Sequence, residues 1–244
     1  MRNGIKWDRS WRSPGRTGSI FLLSIVLAAC GSVSPSTMET APTAAPAAIA
    51  AVHPTGAAPT SAGAAAEQGV TAEGYHFRGR ADAPVTMQDF SDFLCTECHA
   101  FATQTEPKIA EAYIATGKVR FVFRHLLQLG PGSVRTAEAS ECAGDQGQFW
   151  PMHDMLYARQ QDVFATNDLD ALLITFAKDL GLDSALFSTC LQSHKHLTTV
   201  QNDYSAAQQV GIRGRPSFDI NGTRVIGAQP FSVFQQTIDT ALAK

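Results

Sequence analysis

The chain lacks any excess of positive charge. Its 19 Lys and Arg stand against 22 Asp and Glu, a formal net charge of −3, which argues against the basic surface that neutralises phosphates in a nucleic-acid-binding protein. A long apolar run is also missing. The best candidate, Ile20 to Ala29, is about half the ~20 residues that a transmembrane helix requires. There is no internal repeat, no adjacent Arg–Arg pair ahead of that run, and no second C-x-x-C or H-x-x-x-H pair. The general export route is therefore expected over the twin-arginine one. The C-x-x-C that is present, Cys95 to Cys98, has no partner motif to complete a four-ligand zinc site, so no metal is expected.

What stands at the N-terminus is an export signal. Arg2, Lys6, Arg9, Arg12 and Arg16 precede the short apolar run, which is the order of a secretory signal peptide, here residues 1–29. The run ends Leu27-Ala28-Ala29-Cys30-Gly31. This resembles the lipobox of bacterial lipoproteins, in which the cysteine is lipidated and becomes the first residue. The expectation is a protein at the extracytoplasmic face of the cell envelope, tethered to a membrane through Cys30. Residues 30–69 are mostly Ala, Pro, Thr, Ser and Gly. They cannot bury enough apolar surface to offset their ordering entropy. Pro35, Pro42, Pro46, Pro54 and Pro59 oppose the alternative, an Ala-rich helix. A flexible linker is expected, then one folded domain over 70–244.

Within that domain, Pro84 to Phe90 reads as the first strand, a helix runs from near Cys95 to Gly117, and Val119 to Phe123 reads as a second strand. From about 133 to 210 the pattern is helical. Leu172, Leu173, Phe176, Ala177 and Leu180 recur at helical spacing. Asp183 then caps a helix whose apolar face carries Leu186, Phe187, Cys190 and Leu191. Ser217 to Ile226 forms a hairpin turning at Asn221-Gly222, and Pro230 opens a last helix.

Cys95-Thr96-Glu97-Cys98 thus falls where a strand passes into a helix. Two intervening residues allow the sulfurs to close a small disulfide ring. The free N–H groups and dipole of the helix start stabilise a thiolate on Cys95. Cys98, one turn further in, can resolve a mixed disulfide. A competing reading is haem attachment, because His99 completes a literal C-x-x-C-H.

Downstream, Gly214-Arg215-Pro216-Ser217-Phe218 sets a proline at the start of a strand, where it costs a ladder hydrogen bond. This segment, Asp89-Phe90-Ser91-Asp92-Phe93, Gln148 to Asp154, Asn221-Gly222 and Gly227 to Phe231 together resemble the DsbA family, in the branch of the BdbD-type oxidases. The resemblance spans Val85 to Lys244. It implies an α/β thioredoxin fold with a helical insertion, no cofactor beyond the redox-active Cys95–Cys98 pair, Cys95 as attacking and Cys98 as resolving cysteine, and Pro216 as a cis-proline. Arg215 would then lie against the sulfurs. Asp89 would be the buried acid that exchanges a proton with the inner thiol; a strand-end carboxylate without a role is the bland alternative.

Two positions depart from the family pattern. Glu97 between the cysteines disfavours a Cys95 thiolate by like charge, and Arg215 favours it; the two are expected to pair and largely cancel. Setting Cys30 aside leaves four cysteines, so Cys142 and Cys190 on the helical insert are expected as a structural disulfide, with two buried thiols as the alternative. The implied function is thiol–disulfide exchange with exported proteins, chiefly oxidation, reset by a membrane redox partner. Reduction or isomerisation, a haem electron carrier and a non-catalytic binding module are the other readings.

Overall fold

The computed structural model describes residues 67–244; the expected signal peptide, Cys30 and all but the end of the linker lie outside the described residues. A mixed sheet runs in the order β1-β2-β4-β3-β5-β6. β1 (Gln68–Val70) and β2 (His76–Arg78) precede the strand expected to be first, and β1 starts inside the expected linker. Both are three-residue strands, too short for a period-two pattern to register. β3 (Val85–Ser91) pairs in parallel with β4 (Val119–His125), and antiparallel with β5 (Ser217–Ile220), which closes the hairpin with β6 (Thr223–Ile226). Asn221 and Gly222 sit at positive φ, 46° and 87°, as a type I′ turn requires.

The helix after β3 is not uniform. It is built from α1 (Thr96–Ala100), a π-helical segment (Phe101–Thr105), α2 (Glu106–Ile109) and a second π segment (Ala110–Ile114). Pro107 has no N–H for the carbonyl four residues back, and the widened turns lie on either side of the α2 stretch that contains it. The insert comprises α3 (Pro131–Gly144), α4 (Phe149–Ala158), α5 (Gln160–Ala165), α6 (Leu169–Asp179), α7 (Ser184–Gln192) and α8 (Leu197–Gln209). Asp183 caps α7 by accepting from the Ala185 and Leu186 N–H groups. Leu186, expected on the buried face, is instead 63% exposed. α9 (Phe231–Leu242) follows Pro230.

Alternation along β3 divides the interior. Val85, Met87 and Asp89 face the main core, where Phe101, Phe121, Phe123, Phe218 and Phe234 meet. Phe90 faces the other way, into a smaller cluster with Leu126, Ala207 and Ile212 under α8. The main core ends at the C-terminal edge of β3, beneath the first turn of α1. That edge is where the cysteine pair sits.

Candidate active site

Cys95 caps α1: its sulfur accepts from the Cys98 backbone N–H at 3.4 Å. The turn before it is held by Asp92. One Asp92 oxygen accepts from the Leu94 N–H, and the other from the Gln128 N–H and the Ser133 hydroxyl, at 2.9 and 2.8 Å. The Asp92 carbonyl accepts from the Cys95 N–H at 2.9 Å. Gln160 on α5 reaches in from behind and donates to the Phe93 and Cys95 carbonyls, at 2.8 and 3.1 Å. In the sequence Asp92 stands in the Asp89 to Phe93 motif without a role of its own, and Gln160 is not singled out. Asp92 carried a signal, a short carboxylate just ahead of a helix start, whereas Gln160 carried none.

Both cysteines are free thiols in this structure, and their acidities diverge. Hydrogen bonding from the Cys98 thiol, helped by the N–H groups of Cys98 and Glu97 and by the charge of Arg215, brings Cys95 down to about 6 against the cost of its partial burial. Cys98 is fully buried. Burial, its hydrogen bond to Cys95 and the nearby charges of Cys95 and Asp89 push its thiol up. At neutral pH the pair is one thiolate and one thiol. The outer sulfur is the nucleophile and the inner one holds the proton.

Asp89 is 1% exposed, and its carboxyl is raised to about 7 by burial, opposed by the Ser91 hydroxyl and by Arg78. Tyr157 lies close by. Its hydroxyl is buried without a partner, and burial with the charges of Cys98, Asp89 and Asp92 drives its acidity down. His153, packed edge-on against Phe93 and Tyr157, has its pKa lowered by burial, against the pull of Asp154.

The Arg215–Pro216 peptide bond is cis. Arg215 lines the same groove as Cys95, Thr96 and Glu97, with Leu94 and Leu129. The expected pairing of Glu97 with Arg215 does not occur. Arg215 Nη1 donates instead to Gln128 Oε1 at 2.8 Å, while Glu97 stays exposed in the first turn of α1. Gln128 is itself held by Asp92 through its backbone N–H, so the amide fixes Nη1 and the direction of the guanidinium, while Glu97 faces solvent. Cancellation of the two charges on Cys95 is therefore incomplete. His99 is half-buried on the same turn. The haem reading draws no support from this packing, because a thioether bond at Cys98 needs an open face and Cys98 has none.

The comparisons with known proteins agree with this geometry. A family model described as thioredoxin matches residues 71–240. The chain belongs to the thioredoxin family. Probable disulfide bond formation protein D of Bacillus anthracis is 30% identical over 170 residues, covering 68% of this chain and 77% of that protein. The solved structure of oxidised BdbD from Bacillus subtilis superposes with a TM-score of 0.65 at 25% identity, over 74% of this chain and 99% of that one. The fold is shared too with Wolbachia pipientis α-DsbA1, with a TM-score of 0.64 at 24% identity. A Na(+)/H(+) antiporter NhaA 1 of Salinispora arenicola is 33% identical over 170 residues. There the match covers 69% of this chain but only 25% of the antiporter, so the chain spans about a quarter of such relatives and their transport is not carried over to it.

Cys142 on α3 and Cys190 on α7 are disulfide-bonded, with Cα atoms 5.9 Å apart. Their sulfurs lie near His196, but bonded sulfurs are not available as metal ligands.

Proposed function

We propose that this chain is an extracytoplasmic thiol–disulfide oxidoreductase that oxidises cysteine pairs in exported proteins through Cys95–Cys98. The observation that carries the reading is the placement of the pair: Cys95 Sγ accepts the Cys98 N–H at the start of α1, Cys98 is buried behind it, and Arg215 lines the groove in front, an arrangement that lowers the Cys95 pKa and raises that of Cys98.

In the oxidised form, a substrate thiolate attacks Cys95 Sγ. The Cys95–Cys98 bond breaks, and Cys98 leaves with its electron pair and takes up a proton. Asp89, protonated below about pH 7, is the group suited to supply it. A second substrate thiolate then attacks the substrate sulfur of the mixed disulfide, and Cys95 departs as a stabilised thiolate. The substrate dithiol is oxidised by two electrons and the protein is reduced. A reoxidising partner in the membrane completes the cycle. The same steps in reverse constitute reduction. Attack of the Cys95 thiolate on a substrate disulfide, followed by its displacement by a different substrate thiolate, is isomerisation, without net electron transfer. The potential of the couple decides between oxidation and reduction.

Anchoring through a lipid on Cys30 fits the sequence and would hold the domain near such a partner. No helix among the described residues is long and apolar enough to cross a membrane. The direct test mixes oxidised protein with a reduced two-cysteine peptide. Stoichiometric peptide oxidation is expected, and it is lost in both Cys95→Ser and Cys98→Ser, neither of which can form the Cys95–Cys98 disulfide. Cys98→Ser given the peptide in its disulfide form should instead hold it as a mixed disulfide on Cys95, with the second peptide sulfur released as a thiolate. Peptide that remains reduced would overturn the reading.

A further inference from the structure

The groove in front of Cys95 encloses about 460 Å³ between Leu94, Thr96, Glu97, Leu129 and Arg215. Any cysteine that reaches Cys95 Sγ brings its flanking residues into this space. Leu94 and Leu129 make two of its walls apolar, and Leu129 is 40% exposed. Its charged side chains are Arg215 and Glu97.

These two charges are not equivalent. Glu97 is exposed and solvated. Arg215 is half-buried; among the described residues its only side-chain partner is the neutral oxygen of Gln128, and its Nε is buried with no acceptor. A guanidinium tied down by an amide keeps its charge and its orientation. Nη2, neither buried nor hydrogen-bonded among the described residues, is the donor free to meet a carboxylate. Partial burial also leaves Arg215 less screened than Glu97.

We propose that Arg215 is a specificity-determining residue that selects substrate cysteines flanked by a carboxylate, so that the preferred substrates are exported polypeptides with Asp or Glu beside the reacting cysteine. The inference rests on the dithiol-oxidase reading of the site and adds the substrate class to it.

The test uses oxidised full-length protein and two reduced peptides that differ only in Asp or Lys beside the first cysteine. Each peptide's oxidation rate is measured at low salt with the parent, Arg215→Gln and Arg215→Lys. Because both peptides meet the same Cys95, any effect of Arg215 on that sulfur divides out of the Asp-to-Lys rate ratio, and the Arg215→Gln ratio serves as the baseline for the peptides' own reactivities. An ion contact at a partly exposed site is worth about a fivefold effect. The parent ratio should exceed the Arg215→Gln ratio by about that factor. Arg215→Lys should retain most of it, and about 0.5 M salt should erode it. Equal ratios in parent and Arg215→Gln, with both peptides oxidised, would overturn the inference and leave the oxidase reading standing. Failure of the parent to oxidise either peptide would remove both.

Discussion

The Cys98 backbone N–H points at Cys95 Sγ from 3.4 Å, and the Cys98 thiol supplies the largest share of the stabilisation that keeps Cys95 ionised. The inner cysteine therefore prepares the outer one for attack. Cys98→Ala leaves the backbone donor in place and removes the thiol. It should raise the Cys95 pKa from about 6 by about one to two units. Titration of thiolate ultraviolet absorbance measures this, and an unmoved Cys95 would transfer the effect to the backbone and Arg215.

Asp89 ties stability to pH. A carboxyl raised from 3.8 to about 7 keeps in the native state a proton that the unfolded chain has already released. Stability therefore falls as pH rises from about 4 to about 7, and that contribution is flat above. Asp89→Asn removes the slope. In urea melts the variant should match the parent near pH 4 and exceed it by on the order of 4 kcal/mol near pH 8. The same change should slow attack by Cys98 on a mixed disulfide at Cys95 by about tenfold or more. Equal stabilities at both pH values would show that Asp89 ionises freely.

The disulfide between Cys142 and Cys190 closes 48 residues of chain. Chain entropy alone assigns it about 4 kcal/mol. The stabilised Cys95 thiolate is a good leaving group, which the Cys142–Cys190 bond lacks, so mild reductant should open a Cys95–Cys98 disulfide while this one persists. Differential alkylation with peptide mapping reports the order. Cys142→Ala with Cys190→Ala should lower stability in chemical melts; an unchanged midpoint would assign the bond no stabilising role.

Cys30 is open to a separate test. With Cys30→Ser the protein should move to the soluble fraction or keep its signal peptide, because stable anchoring of a lipoprotein depends on several acyl chains on that residue. Unchanged processing and membrane retention would contradict lipidation there.

Much of the fold was legible where pattern and chemistry coincide. The β3–α1–β4 unit followed from one short strand-like run, a motif cysteine and the alternating run from Val119 to Phe123, and the final hairpin from Asn221-Gly222. β1 and β2 escaped because three-residue strands leave no periodicity. The π segments escaped because Cys95 to Gly117 reads as one helix, although Pro107 lies in its interior. Within the site, Cys95, Cys98, Asp89 and Arg215 stand in sequence motifs. The partners that orient them do not: Gln128, Ser133 and Gln160 come from loops and helices far along the chain, and ordinary polar residues give no local signal. The missing Glu97–Arg215 pair has the same origin, since only the tertiary structure brings Gln128 to the guanidinium.

The reduction potential of the Cys95–Cys98 couple, equilibrated in glutathione buffers across pH, tests the central claim most directly. A thiol near 6 lies between thioredoxin, near 7 and about −270 mV, and DsbA, near 3.5 and about −120 mV. The account predicts a potential near pH 7 of about −200 to −230 mV. It also predicts a pH slope of about 59 mV per unit below pH 6 that halves to about 30 mV above it, as Cys95 ceases to take up a proton on reduction. A potential at or below about −270 mV, with no break in slope until pH 8 or beyond, would contradict an acidic nucleophile at Cys95 and make the protein a reductant.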